Sequence, residues 1–221
     1  FAPLGVFCLI GKFVIADGLD IFQDVLAYVV LLIALLLFHA AFTYSIFLKF
    51  VGGLNPLTFY TKMKDVALFA FSTSSSAATI PVTLRTVNQD LGVNQNVASF
   101  VVPVGATINM DGTAIMQGLA TVFIAQMSGI DLTLFQYIQV VLLAVATSIG
   151  TAAVPSAGTI TLIIILQQFN LPLEAIGIIL AVDRVLDMIR TSVNVTGDAA
   201  IACIVAKTEN QLDENIFNSK A

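Results

Sequence analysis

The sequence predicts an all-α membrane protein whose transmembrane helices carry two matching breaks, a pattern that points to an inverted repeat. Three observations support this. Hydrophobic residues make up 58% of the 221-residue chain and charged residues only 10%, against roughly a quarter charged in a soluble domain. The run VLAYVVLLIALLLFHAAFTYSIFLKFV exceeds the ~20 apolar residues that a spanning helix needs. SSSAATIP and SIGTAAVP each interrupt an apolar stretch with small residues and a proline.

The elements follow in order. Residues 1–20 look like the end of a membrane helix. The chain opens on Phe1, without methionine and with an apolar segment under way, as expected of the C-terminal part of something longer. Residues 21–52 make a transmembrane helix, and GGLNPLTFYTKMKD is expected as a polar connection. Residues 64–92 start as an apolar helix, break at three serines and Pro81, and resume; they are too short to cross twice. Residues 96–130 span but are interrupted at NMDGT. Residues 134–170 repeat the apolar–break–apolar pattern, residues 173–207 form the last transmembrane helix, and 208–221 a polar tail.

Backbone that leaves the helix at membrane depth exposes N–H and C=O groups that lipid cannot satisfy. It survives only inside protein or along a polar cavity. Corresponding breaks in two halves are the sequence pointer to a secondary transporter; the competing reading is a pair of ordinary kinked helices. The net charge of −5 comes from scattered acids, and no basic run suggests nucleic acid. Cys8 and Cys203 stand alone in apolar settings and are expected as buried thiols.

The charges cluster in DRVLDMIRTSVNVTGD. At about 100° per residue, Asp183, Asp187, Arg190, Asn194 and Asp198 fall within a band of roughly 80°, with Thr191 at its edge. An ionised residue in a bilayer is costly unless it faces a pathway or a partner. Arg190 offers a planar fork for a carboxylate, Asp187 can accept from an ammonium, and Asn194 can donate to a second carboxylate. That set suits a zwitterion with an acidic side chain. The alternative is internal pairing of Arg190 with Asp187 and no ligand.

NMDGT, Asn109 to Thr113, places a carboxylate, an amide and freed carbonyls together. Such an oxygen-rich set suits a hard cation, with Asp198 available to complete it; the alternative is a hydrogen-bonded cluster that holds a kink. His39, alone in its helix, is read as a packed or interface residue and not a proton relay, because no acid lies one turn away.

STSSSAATIP, GATINMDGTA, TSIGTAAVPSAGT and LDMIRTSVNVTGD, in this order, closely resemble the sodium:dicarboxylate (glutamate/aspartate) symporter family, over nearly the whole chain. The resemblance implies a transporter, not an enzyme. It makes residues 64–92 and 134–170 two re-entrant helical hairpins in an inverted-repeat arrangement. Arg190 would bind the side-chain carboxylate, helped by Thr113, and Asp187 would accept the amino group. Asn194 and the tip Ser74, Ser75 and Ser76 would surround the α-carboxylate and amino group. Thr191 and Gly158 would line the pocket, and Val154 would contribute backbone. One Na⁺ site would use Gly105, Asn109, Asn194 and Asp198. A second would use carbonyls at Thr107, Ser148, Ile149 and Thr151, and a third Asn109 and Asp111 with an earlier helix that this chain does not include.

The chain also departs from its relatives. Archaeal members carry an arginine where Ser74 stands, and animal members carry one where Met188 stands. Arg184 lies one turn from Met188, about 40° round the helix. Animal members carry a glutamate, thought to take the co-transported proton, where this chain has Gln117, and glutamine cannot titrate. The expected activity is Na⁺-coupled symport of glutamate or aspartate, without obligatory proton symport or K⁺ exchange at that position. An elevator-type transport domain, gated by the second hairpin, would carry it out. The whole protein is expected as a multi-pass homotrimer in the lipid bilayer of the plasma or inner membrane, its trimer contact lying in the part not present here. The alternatives are a C4-dicarboxylate symporter of the same family, an ion channel, or a structural membrane subunit.

Overall fold

The computed structural model describes residues 21–219, together with Leu4, Gly5, Phe7, Cys8, Gly11 and Ile15. The helix end expected over residues 1–20 therefore falls largely outside the described residues. Among the described residues the structure is helical, with no strand beyond a single antiparallel bridge between Val93 and Leu212.

Helix α1 (Ile21–Val51) is long and apolar enough to cross a membrane. It winds as α-helix to Phe38, as a π turn over His39–Thr43, and again as a π turn over Phe47–Val51. The segment expected as a polar connection is helical from Pro56, which opens α2 (Pro56–Thr73). The start signal is local: the Asn55 side chain accepts from the Leu57 N–H, and Pro56 occupies the first turn, where no N–H is needed. The lysines that suggested a loop lie on this helix.

Helix α2 breaks at Ser74, in the left-handed region at φ 50°, and Ser75 then caps α3 (Ser76–Gln89) by accepting from the Ala78 N–H. Pro81 thus lies inside α3 and not at the break. Helices α4 (Gln95–Ile108) and α5 (Asp111–Met127) are one path interrupted at Asn109 and Met110. Helix α6 (Leu134–Ile149) starts at a capping box between Thr133 and Gln136. An irregular tip containing Pro155 joins it to α7 (Ala157–Gln168). Helix α8 (Ile176–Thr208) is the central element, touching α1, α2, α3, α4, α5 and α7.

The tail after α8 is docked, not free. Asp213 caps the short helix α9 (Glu214–Asn218), whose Phe217 is 1% exposed. The Asn94 N–H donates to the Gln211 carbonyl and the Asp213 N–H to the Gly92 carbonyl, at 2.9 and 2.8 Å. Gly92 has φ +73°, and a Cβ there would meet the Asp213 carbonyl at 2.5 Å. The Lys62 ammonium, 8% exposed, donates to the carbonyls of Asp90 and Ile216. The base of the first hairpin and the chain after α8 are thereby clasped together. Cys203 is buried, but Cys8 is exposed. In a membrane chain an apolar thiol is as compatible with lipid as with protein.

Candidate functional site

The residues of the polar stripe stay inside the protein because α8 is surrounded. Asp183, Asp187, Arg190, Thr191, Asn194 and Asp198 are all buried. The two interrupted hairpins approach α8 from opposite ends, and their tips touch. The Ser75 hydroxyl donates to the Ala153 carbonyl at 2.9 Å, and the Ala77 N–H reaches the same oxygen at 3.3 Å. Backbone groups that neither hairpin could satisfy alone are thus satisfied across the pair.

Beneath the tips lies a cavity of about 20 Å³, lined by Ser74, Ser76, Thr113, Gly158, Asp187 and Arg190, with Thr151, Val154, Thr191 and Asn194. Nine of the ten residues expected to bind substrate line it. Ser75 does not, because its hydroxyl is used at the tip contact. Met110, Ala152 and Ala153 also line the cavity and were missed. Small or apolar residues carry no chemical signal of their own.

Arg190, 2% exposed, is held between two carboxylates. Its Nη2 lies 2.5 Å from Asp187 Oδ1 and its Nη1 3.4 Å from Asp183 Oδ1. Internal pairing is therefore present in this closed arrangement. The other Asp187 oxygen accepts from the Ser156 N–H in the second tip at 2.9 Å. Gly158 gives Thr113 room: a Cβ there would approach the Thr113 methyl to 2.7 Å. The Arg184 side chain is exposed, away from this pocket.

The Gln117 amide, fully buried, donates to the Gly158 carbonyl at 3.0 Å and to the Thr161 hydroxyl at 2.8 Å. Its oxygen accepts from Thr147 at 2.8 Å. One side chain of α5 therefore ties down both arms of the second hairpin.

The expected first ion set comes together. Asn109 Nδ2 is 2.9 Å from Asp198 Oδ1 and 3.3 Å from the Asn194 carbonyl. A Cβ on Gly105 would sit 2.6 Å from Asp198 Oδ1. The Asn194 amide oxygen accepts from the Gly112 N–H at 2.8 Å. Of the second set, Ser148 and Thr151 are buried while Thr107 and Ile149 are exposed, at the ends of α4 and α6, which touch. Among the described residues no three His, Cys, Asp or Glu side chains cluster as a transition metal would require. The oxygen-rich set suits a hard cation.

Asp111 points elsewhere. Its Oδ2 is 2.7 Å from His39 Nε2 and 2.5 Å from the Tyr44 hydroxyl. The reading of His39 as a packed or interface residue rested on there being no acid one turn away, yet His39 does have an acidic partner. The partner lies across the helix interface, 72 residues along the chain, where a search within one helical turn does not reach.

The model of the "Sodium:dicarboxylate symporter family" matches residues 1–208. Excitatory amino acid transporter 2 of Homo sapiens is 42% identical over 207 residues, 93% of this chain and 36% of that protein. A Caenorhabditis elegans excitatory amino acid transporter is 42% identical across 93% of this chain and 41% of its own length. Mouse excitatory amino acid transporter 3 is 41% identical across 100% of this chain and 42% of its own length. The chain thus spans about two-fifths of the length of these relatives.

Proposed function

The chain belongs to the sodium:dicarboxylate symporter family, a family of membrane transporters and not of enzymes, and on that premise we propose that it forms the substrate- and ion-binding part of a Na⁺-coupled symporter for glutamate or aspartate. The observation that carries this reading is Arg190 between Asp187 and Asp183 in a cavity closed by both hairpin tips. A cavity of about 20 Å³ holds a water, which needs roughly 10–15 Å³ on this measure, and not an amino acid. Entry requires the second tip to withdraw, which breaks the bond from the Ser156 N–H to Asp187. The substrate side-chain carboxylate then replaces Asp187 on the Arg190 fork, and Asp187 turns to the substrate ammonium. Each charge exchanges one partner for another, so no buried charge is left bare.

Asn194 and the backbone of the first tip, Ser74 to Ser76, supply donors for the α-carboxylate. Na⁺ is cargo that binds beside them. Gly105, Asn109, Asn194 and Asp198 form one site, the carbonyls at Thr107, Ser148, Ile149 and Thr151 a second, and Asn109 and Asp111 part of a third. Asn194 belongs to both the substrate set and the first ion set, which gives a physical route for coupling one to the other. A C4-dicarboxylate lacks an ammonium and would leave Asp187 opposed by a second anion, so the amino acid reading is favoured.

We further propose that both hairpins are re-entrant, related as an inverted repeat, and travel with α8 in an elevator-type motion within a homotrimer. Lys49, Lys62, Lys64, Arg85 and Lys207 gather toward the end of the bundle that holds the base of the first hairpin. Residues 127–175, which reach the other end, carry Asp131 and Glu174 but no lysine or arginine. The positive-inside rule assigns the lysine-bearing end to the cytoplasm of a plasma or inner membrane.

The test is uptake of radiolabelled L-aspartate by the full-length protein in liposomes, with L-glutamate, succinate and L-serine as competitors. Uptake driven by an inward Na⁺ gradient and blocked by the two acidic amino acids is expected. Equal competition by succinate, or uptake indifferent to Na⁺, would overturn the reading.

A further inference from the structure

Two residues five apart on an α-helix stand about 140° apart, yet His39 and Tyr44 stand together. Their ring centroids are 4.9 Å apart, edge to face. The cause is the π turn over His39–Thr43. One extra residue in the turn makes a separation of five act as a separation of four, about 40°. Both side chains consequently reach one oxygen, Asp111 Oδ2, at 2.7 and 2.5 Å. The other oxygen accepts from the Gly112 N–H at 2.8 Å. Asp111 is thus fixed by three donors, two of them from α1, although no residue of α1 lines the substrate cavity.

The surroundings hold this arrangement in place. The Tyr60 hydroxyl of α2 donates to the Ala40 carbonyl inside the π turn. The Tyr44 hydroxyl also lies 3.1 Å from the Val193 carbonyl on α8. Gly197 permits that approach: a Cβ there would meet the Tyr44 oxygen at 2.5 Å and Asn109 Nδ2 at 2.6 Å. Tyr44 and Asn109 therefore share one notch in α8. The π turn is a local departure from regular winding, and such turns concentrate at functional sites.

We propose that the π turn of α1 aims His39 and Tyr44 at Asp111, and that these two are positioning residues for the cation site at the Asn109–Asp111 break. The proposal rests on the sodium reading above. With its carboxylate held at both oxygens, Asp111 keeps one position beside Asn109, and the break keeps the shape that the cation needs. Loss of the grip therefore weakens cation binding first and substrate binding only through it.

The experiment uses the full-length transporter and L-aspartate binding titrated with NaCl. Tyr44→Phe, His39→Leu and deletion of Ala41, which returns the turn to α winding, are each expected to raise the half-saturating Na⁺ concentration about tenfold, the size of one hydrogen bond to a charged group. His39→Gln keeps a donor and is expected to stay near the native value. At saturating Na⁺ all of them should bind L-aspartate with near-native affinity. An unchanged or lowered half-saturating Na⁺ concentration in Tyr44→Phe would overturn the proposal. So would an equal loss of affinity at saturating Na⁺, which marks general damage.

A double-mutant cycle between Tyr44→Phe and Asp111→Asn, read by thermal denaturation without Na⁺, tests the grip separately, and additive effects there would also overturn it. Native binding indifferent to Na⁺ would defeat the sodium reading and the cation role of the grip, while a measured coupling would still show that the grip exists.

Discussion

Arg190 and Asp187, one turn apart on α8, lie with guanidinium Nη2 2.5 Å from carboxylate Oδ1, both buried. On the reading proposed above, the pair stands where substrate would bind: an acidic amino acid would bring a carboxylate for one and an ammonium for the other. A buried pair of this kind is costly to break by removing one partner.

Arg190→Cys should lower L-aspartate affinity by about two orders of magnitude or more, since two parallel charge-assisted bonds are lost. Small neutral amino acids should enter instead, because Asp187 still accepts their ammonium. Arg190→Lys should recover little, as an ammonium cannot span a carboxylate with a planar fork. Competition binding with L-aspartate and L-serine checks both.

Asp187→Ser should weaken amino acids by roughly ten- to a hundredfold while weakening succinate-like diacids far less. It also removes the acceptor for the Ser156 N–H, so the second tip should close less firmly and its amides exchange faster. Equal weakening of both ligand classes would show that Asp187 serves only to hold Arg190.

Gln117→Glu tests the tie across the second hairpin. The native amide donates to the Gly158 carbonyl and to Thr161. An ionised carboxylate can donate to neither, whereas the protonated acid keeps one donor. The closed hairpin of the variant therefore holds a proton that the open one releases. By linkage, its closure should be firmest at acid pH and weaken as pH rises. The native protein should transport without obligatory proton influx and without a need for internal K⁺, and the variant should gain uptake that falls toward alkaline pH. Liposomes with a fixed Na⁺ gradient, a clamped voltage and independently varied pH provide the measurement.

Gly105→Ala should displace Asp198, because the new methyl would lie 2.6 Å from its Oδ1. The half-saturating Na⁺ concentration for L-aspartate binding is expected to rise about tenfold or more, the scale of one disturbed charged hydrogen bond. A NaCl titration of binding gives the answer, and an unaltered titration would remove Gly105 and Asp198 from the ion set.

The stripe on α8 was legible because ionised residues at helical spacing stand out against an apolar chain, and the structure buries Asp183, Asp187, Arg190, Asn194 and Asp198 as that spacing implies. The break at Asn109 was legible from its polar residues. The grip on Asp111 was not, because it depends on a π turn and on a contact between distant helices, and neither leaves a mark in local periodicity. The helical start at Asn55–Pro56 carried a recognisable signal, but the lysines after it weighed toward a loop. Lys62 in fact lies buried, with carbonyl partners at Asp90 and in the tail.

The docking of α9 has a consequence for how the transporter meets other molecules. A protease or an adaptor protein that takes residues 211–219 as an extended peptide must first extract Phe217 from the core and strip Lys62 of the Ile216 carbonyl. Capture of this segment and loosening of the first hairpin's base are therefore one linked equilibrium. Whatever binds the released segment favours the loosened hairpin, and whatever tightens the hairpin hides the segment by the same factor.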